Sequence, residues 1–359
     1  MAKKRILILV SEYPQVSETY IETERRALED RYDLSLVTLN HSDQPYSEHG
    51  PYRYVHKKDG RALASAVRDF SPDVIHGHYL FMTPTLMKIA RVAKVPFTVR
   101  AHSFDVLSEG IDLGRYAKFI NDDSCLGLLT FPFTRPLLER AGVREEKIHE
   151  CHPVVDVGRF YDESPNGDAV MNVGACIPKK NMEEFLMLGT RFKNRVFNLY
   201  AIGYQVEKIR KLNLELGSPV NIVEPLEPSE MPRQYKKHEW IVYTGSHRLA
   251  TVGWPMAVAE AQAAGVGVCV QRVRRDLEEY VGRGGFLFET IDEAEKIISQ
   301  PFPDEMRRLG FEQAKKSDIY NHIRKLEDLW KPVLEEGFQP ALARRGIRKY
   351  LPFGGEYGI

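Results

Sequence analysis

The chain has 359 residues, 43% hydrophobic and 28% charged, the mix of a soluble globular protein with enough apolar material for two ordinary cores. Fifty Lys+Arg balance fifty Asp+Glu, so net charge points to no polyanionic partner; a nucleic acid would need a local basic patch. Four scattered cysteines (Cys125, Cys151, Cys176 and Cys269) form no C-x-x-C pair, which argues for reduced, buried thiols over a disulfide framework or zinc site. The basic start Lys3-Lys4-Arg5 leads into an apolar run, 6–10, too short for a signal-peptide core or a membrane span, and no later run is longer. A cytoplasmic protein is expected.

In chain order, the β-branched and aliphatic run 5–10 predicts a buried strand, 18–30 a helix and 34–39 the next strand. A helix over 61–70, a strand over 74–78, a helix over 83–92 and strands over 95–100 and 125–130 follow. Residues 134–141 predict a helix stopped by Gly142. The stretch 152–167, rich in Pro, Gly, Asp and Asn, reads as a linker. The rhythm then restarts: 170–174, 181–188, 197–202, 205–216, 220–223, 228–237, 240–244, a helix over 255–264, a strand over 266–270 and a helix over 274–281. Beyond Ile291 the pattern is nearly all helical and ends in an amphipathic stretch, 318–335. Alternating β and α elements imply an α/β protein, with two doubly wound, Rossmann-like parallel sheets facing one another across a cleft at their carboxyl ends. The domains expected are 1–158, 168–317 and a terminal segment, 318–359, returning to the first.

The segment 253–256 (GWPM) opens the helix over 255–264. Proline suits the first helical position, and the remaining amides of that turn, at the positive end of the helix dipole, form a place for a phosphate. Glu260, about one turn on, is placed to hydrogen-bond ribose hydroxyls. The alternative is an ordinary buried helix packed through Ala257, Ala261 and Ala264 with Glu260 merely solvated.

Residues 253–270 (GWPMAVAEAQAAGVGVCV) resemble the donor-site segment of the family-4 retaining glycosyltransferases, E-G-F-P-x-x-x-x-E-A-M-A-x-G-x-P-V-V. Other segments agree in order. Residues 13–21 (YPQVSETYI) are similar to the family's F-P-x-x-S-E-T-F-I loop. Residues 73–105 are similar to its strand–helix–strand unit ending in H-G-x-D, 173–181 (VGACIPKKN) to its V-G-R-L-x-x-x-K-G loop, and 318–335 to its crossover helix. The resemblance implies the two-domain GT-B fold with a C-terminal crossover helix. It implies a transferase moving a sugar from a nucleotide-diphosphate sugar, a UDP-sugar first, to a hydroxyl of a carbohydrate or glycoconjugate acceptor. It further implies retention of configuration, no metal and no cofactor besides the sugar nucleotide.

The site residues follow from the same match. Gly174, Lys180, Gly253, Trp254, Pro255, Met256 and Glu260 would bind the donor, with Glu260 and His102 at the catalytic centre. His102 aligns with the family histidine facing the transferred sugar, where a ring N–H would hold a sugar hydroxyl; a structural histidine at a strand end is the competing reading. Ser17, Glu18 and Thr19 form a candidate acceptor or phosphate loop, unless Ser17 only caps the following helix. Asp105 reads as a helix cap. His76-x-His78 lie on one face of a strand, but no third metal ligand stands at suitable spacing and no Asp-x-Asp motif is present, so no metal site is assigned.

Two departures stand out. Where the family has a glutamate eight positions before Glu260 this chain has Val252, and Ala175 replaces an arginine beside Gly174. One of Arg272, Arg274 and Arg275 is a candidate to restore the lost charge; a solvated basic turn is the alternative. These losses keep two rival readings open, a catalytically weakened GT-B protein acting as a binding or regulatory subunit and a nucleotide-sugar epimerase. The loops 41–59 and 109–121 are expected to face the acceptor. The basic tail 338–359, with Arg344, Arg345, Arg348 and Lys349, reads as a peripheral membrane contact, as a segment packed on the first domain or as a self-association element.

Overall fold

The structure, a computed structural model, describes residues 3–42, 48–249 and 251–338. Seven parallel strands form the first sheet: β1 (Arg5–Tyr13), β2 (Asp33–His41), β3 (Arg53–Tyr54), β4 (Val74–His78), β5 (Phe97–Arg100), β6 (Cys125–Thr130) and β7 (Ile148–Glu150), in the order β3-β2-β1-β4-β5-β6-β7. Six parallel strands form the second: β8 (Ala169–Ala175), β9 (Phe197–Ile202), β10 (Asn221–Val223), β11 (His238–Tyr243), β12 (Gly267–Gln271) and β13 (Phe286–Phe288), in the order β10-β9-β8-β11-β12-β13. In both, the order reverses beside the first strand, at β1/β4 and at β8/β11, which opens a crevice at the carboxyl ends there.

The unbroken apolar run of β1 is explained by burial on both faces. Leu7 and Leu9 join one core with Leu63, Val67, Leu86 and Ile89, while Ile6, Ile8 and Val10 join another with Ile21, Leu28, Ile323, Leu326 and Trp330. The second sheet repeats the device: Trp240 and Val242 face one core, Ile241 and Tyr243 the other.

The helix Ile319–Glu336 begins at Asp318, whose carboxylate accepts the Tyr320 amide at 2.8 Å. Its buried residues Ile319, His322, Ile323, Leu326 and Trp330 recur at helical spacing and lie against the first sheet. Where the chain leaves the first sheet and where it comes back, the two strands of backbone are joined: Val155 donates to Ser317 at 3.0 Å and Ile319 donates to Val155 at 2.8 Å.

Several sequence expectations are adjusted. Pro255 is not the first helical residue but the N-cap, with extended backbone, and the helix runs Met256–Ala263. The helix expected over 274–281 spans only Leu277–Val281, because Arg274 is held by Asp276 at 2.8 Å instead of entering a helical turn. The span 228–237 divides into a 3-10 turn, Pro228–Glu230, and a helix, Met231–Tyr235. The linker carries a helical turn, Val157–Phe160, capped by Asp156. The short strands β3, β7 and β13 and the helices Ser103–Leu107 and Gly114–Ile120 had no expectation. All four cysteines are buried and free. Among the described residues no helix is long and apolar enough to cross a membrane. The tail 339–359, with the basic residues singled out above, lies outside the described residues, as do 43–47 of the first expected acceptor loop.

Candidate functional site

Between the two sheets lies a cleft of about 410 Å³, lined from both sides. Ser17, Glu18 and Thr19 line its first-domain wall; Gly174, Lys180, Pro255, Met256 and Glu260 line the opposite wall. Sequence reasoning named all eight, and the structure brings them to one cavity.

Gly174 is the next-to-last residue of β8, with φ +134, a backbone conformation that L side chains rarely adopt, and a Cβ there would stand 2.2 Å from the Lys180 Nζ. The absent side chain is what lets Lys180 reach the strand end. Its carbonyl accepts the Thr244 hydroxyl at 2.8 Å, which fixes the backbone at that point. Its ammonium lies 5.5 Å from the Tyr243 ring centroid, and among the described residues no carboxylate stands within ion-pair distance of it. Burial lowers its pKa to about 8, with the Glu260 charge opposing the shift. A recessed cation with no carboxylate in ion-pair contact among the described residues can receive an anion from the cleft.

Glu260 accepts the Tyr235 hydroxyl on Oε2 at 2.6 Å and lines the cleft. Burial raises its pKa, and Arg159 and Lys180 pull the other way. At the head of its helix the Val258 amide is already bonded to the Pro255 carbonyl at 3.1 Å, so the Met256 and Ala257 amides are donors beside the cavity with no acceptor among the described residues.

Gly253 and Trp254 do not line the cavity. Gly253 meets the first domain, where a Cβ would come within 2.8 Å of the Ser103 side chain. Trp254 is buried, stacks on Tyr280 at 4.9 Å and donates to Asp276 at 2.8 Å, a structural wedge behind the helix head. Val252 is also buried and its carbonyl accepts from Arg274. Arg274 is therefore not a replacement for the arginine missing at Ala175. Arg272 faces Glu278 at 3.4 Å and Glu289 at 3.6 Å, away from that role as well.

On the first-domain wall, Glu18 is the N-cap of the helix Thr19–Glu29 without a side-chain capping bond, and Ser17 is exposed, so the hydroxyl of Ser17 does not serve as the cap. Tyr79, at the end of β4 with φ +74, donates to Glu18 and shares a 2.6 Å hydrogen bond with Tyr20. Burial raises the Glu18 carboxyl to about 7, against the pull of the Tyr79 hydrogen bond. Of the two loops expected to face the acceptor, Glu48 and His49 alone reach the cavity among the described residues. Glu48 spans it, accepting the Ser229 amide at 3.1 Å and lying 3.6 Å from Arg159.

His102 does not line the cavity. Its ring packs against Tyr79 at 4.4 Å and Tyr20 at 4.6 Å, and its Nε2 lies 3.2 Å from His78 Nδ1. Asp105 accepts the His102 amide at 2.7 Å and the Leu80 amide at 2.5 Å, the capping role expected of it. Beneath His102 sits a fully buried cluster that sequence reasoning missed: Glu24, within 3.0 Å of His76, 3.3 Å of His78 and 2.6 Å of His322. Glu24 supplies the third ligand-type group that the His-x-His pair had lacked, with all three ligand atoms within 4.8 Å of one another. Its sequence signal was a glutamate on the inward face of the first helix, among the buried positions Ile21, Arg25 and Leu28.

No family model matches the sequence, and no curated protein matches it. Solved structures are similar in fold. HepE of Anabaena in complex with UDP-glucose has a TM-score of 0.74 at 16% identity, covering 91% of this chain and 99% of that one. Sucrose-phosphate synthase of Thermosynechococcus elongatus has a TM-score of 0.71 at 13% identity, covering 93% and 100%. WaaG, a glycosyltransferase involved in lipopolysaccharide biosynthesis, has a TM-score of 0.63 at 11% identity, covering 90% and 99%. The chain has the GT-B fold.

Proposed function

We propose that this protein is a retaining, metal-independent glycosyltransferase that moves a sugar from a nucleotide-diphosphate sugar, UDP-linked first, to a hydroxyl of a carbohydrate or glycoconjugate. The observation that carries the proposal is the recessed Lys180 ammonium beside Gly174, in the same cleft as Glu260 and the leading amides of the helix Met256–Ala263. Similarity to a structure that holds UDP-glucose supports the choice of donor.

In this reading the diphosphate lies between Lys180 and the Met256 and Ala257 amides, which stabilise the charge left when the sugar–phosphate bond breaks. Glu260 Oε1 accepts from ribose. The acceptor hydroxyl approaches from Ser17, Glu18 and Thr19, and the sugar lies on the side of the cleft toward the His102–Ser103 turn, which packs on Gly253 behind the cavity wall. The donor phosphate takes the acceptor proton on the same face that the leaving group vacates, which gives retention. Lys180 and the amides carry the counter-charge, so no divalent cation is required.

Methanol as a surrogate acceptor tests the reaction without knowledge of the natural one. Incubation with UDP-glucose in chelator is expected to give UDP and methyl α-glucoside, detected by NMR. Methyl β-glucoside would contradict retention, and an absolute need for added magnesium would contradict metal independence.

Two further outcomes follow from the geometry. Gly174→Ala is expected to leave the fold intact and lower nucleoside diphosphate affinity by roughly tenfold or more, because the added methyl must displace the ammonium or strain the strand end. Calorimetric titration of the variant checks this. Lys180, with a pKa of about 8, binds an anion only when protonated. Affinity is therefore at its full value well below that pH and declines above it, by roughly 25-fold between about pH 7.5 and about pH 9.5, whereas Lys180→Arg keeps its affinity over that range.

A further inference from the structure

Five side chains in the first-domain interior are joined end to end, and each junction constrains where the protons lie. Arg100, buried at the end of β5, donates from Nη1 to His322 Nδ1 at 2.7 Å. A guanidinium has no acceptor, so His322 Nδ1 carries no proton and its proton is on Nε2. That Nε2 donates to Glu24 Oε2 at 2.6 Å. The other oxygen, Oε1, faces His78 Nε2 at 3.3 Å, and His78 Nδ1 faces His102 Nε2 at 3.2 Å. At the far end the His102 ring accepts the Asp105 backbone amide.

The two ends agree. A carboxylate can only accept, so His78 must carry its proton on Nε2 and offer a bare Nδ1. His102 must then donate from Nε2, which leaves Nδ1 as the atom that receives the Asp105 amide. Reversing any link would set two lone pairs, or two protons, against one another in a buried place. The surroundings fit neutral rings: burial lowers His78, lowers His322 to about 4 and holds His102 well below the ordinary histidine range. Burial alone would raise Glu24, but His76, His78 and His322 pull it well below the usual carboxylate range.

We propose that Glu24 and His322 are positioning residues that set the tautomer of His102 through His78, and so tie the returning helix Ile319–Glu336 to the sugar side of the cleft. The significance for catalysis rests on the function proposed above, which places His102 beside the transferred sugar; the proton pattern itself does not. The chain locks the imidazole as a neutral Nε2–H ring, clamped between Tyr20 and Tyr79, at the turn that meets Gly253. His322 arrives from a part of the chain more than two hundred residues from β5, so the ring is set only when the C-terminal helix is docked.

The test is histidine 15N NMR of the full chain without nucleotide, with signals assigned by single histidine replacements. His78, His102 and His322 are all expected to be neutral with the proton on Nε2. Glu24→Gln, which keeps the shape, is expected to invert the pattern locally. The carboxamide oxygen must take the fixed His322 proton, so the amide NH₂ faces His78, whose own proton moves from Nε2 to Nδ1, and His102 in turn gives up its Nε2 proton to Nδ1 at the cost of its contact with the Asp105 amide. Wild-type His78 or His102 protonated on Nδ1 or doubly protonated near neutral pH, or a folded Glu24→Gln protein with an unchanged His78 tautomer, would overturn the proposal. If the variant fails to fold, the wild-type pattern decides alone. Because nucleotide is absent throughout, this result stands apart from the donor-site reading, which a nucleotide titration settles separately.

Discussion

Lys180→Ala lowers the affinity for a nucleoside diphosphate by about 30- to 150-fold while leaving affinity for the bare nucleoside nearly unchanged. A hydrogen bond to a charged group in a recessed site contributes about 2–3 kcal/mol, which sets the size of the effect. The effect sits near the upper end because Ala175 removes the second cation the resemblance led one to expect, and because Arg272 and Arg274 are engaged with Glu278, Glu289 and Asp276. Lys180 is the cation whose Nζ reaches Gly174 of β8, so it carries most of the load there. The contrast between diphosphate and nucleoside separates lost charge from a distorted pocket, since collapse of the pocket would weaken both. Thermal unfolding of the variant is expected to be unchanged or slightly higher, because the ammonium is desolvated without a carboxylate in ion-pair contact among the described residues of the unliganded protein. Paired calorimetric titrations of wild type and variant with UDP and uridine check the whole pattern.

Trp330→Ala destabilises the first domain by about 3–5 kcal/mol, the usual range for removing a large buried aromatic ring. Trp330 is fully buried on the long C-terminal helix, packs in one core with Ile6, Ile8 and Val10, and donates its indole N–H to Thr98 at 3.1 Å. Its loss empties the seam between that helix and the first sheet and leaves the hydroxyl of Thr98, which also bonds His76 at 2.8 Å, short of one partner. The cost falls on one domain only. Chemical denaturation followed by circular dichroism is expected to separate into an early first-domain transition and an unmoved second-domain one. Nucleotide binding under mild conditions survives, because Lys180, Gly174 and Glu260 sit on the second sheet and the turn and helix packed against it.

The second-domain wall of the cleft, where the donor is proposed to lie, was legible because its residues are nearly consecutive. Gly253 through Glu260 lie within one turn-and-helix segment, and Gly174 and Lys180 within one strand end and its loop, so local spacing carried their positions. Even there the sequence misassigned details: Trp254 turned out to be a packing wedge, and Pro255 a cap. The first-domain side was less legible, because its groups meet only after folding. Glu24, His78, Arg100 and His322 come from three separate segments of the first half and from the last helix, and no local pattern joins them. Tyr79 reads in sequence as one more aromatic after a strand, yet its positive φ turns the hydroxyl onto Glu18. The His-x-His pair showed its shared face but not the carboxylate beneath it, which the packing of the first helix supplies. Edge strands such as Arg53–Tyr54 and Phe286–Phe288 were missed because two or three residues carry no period.

The most direct measurement is a calorimetric titration of the full chain with UDP, GDP and ADP in the presence of a chelator. The account predicts saturable one-to-one binding of at least one of them, UDP first, with the binding weakened by Lys180→Ala and by Glu260→Ala. Wild-type protein that binds none of the three, with or without added magnesium, would contradict the claim that this cleft is a nucleotide-sugar site.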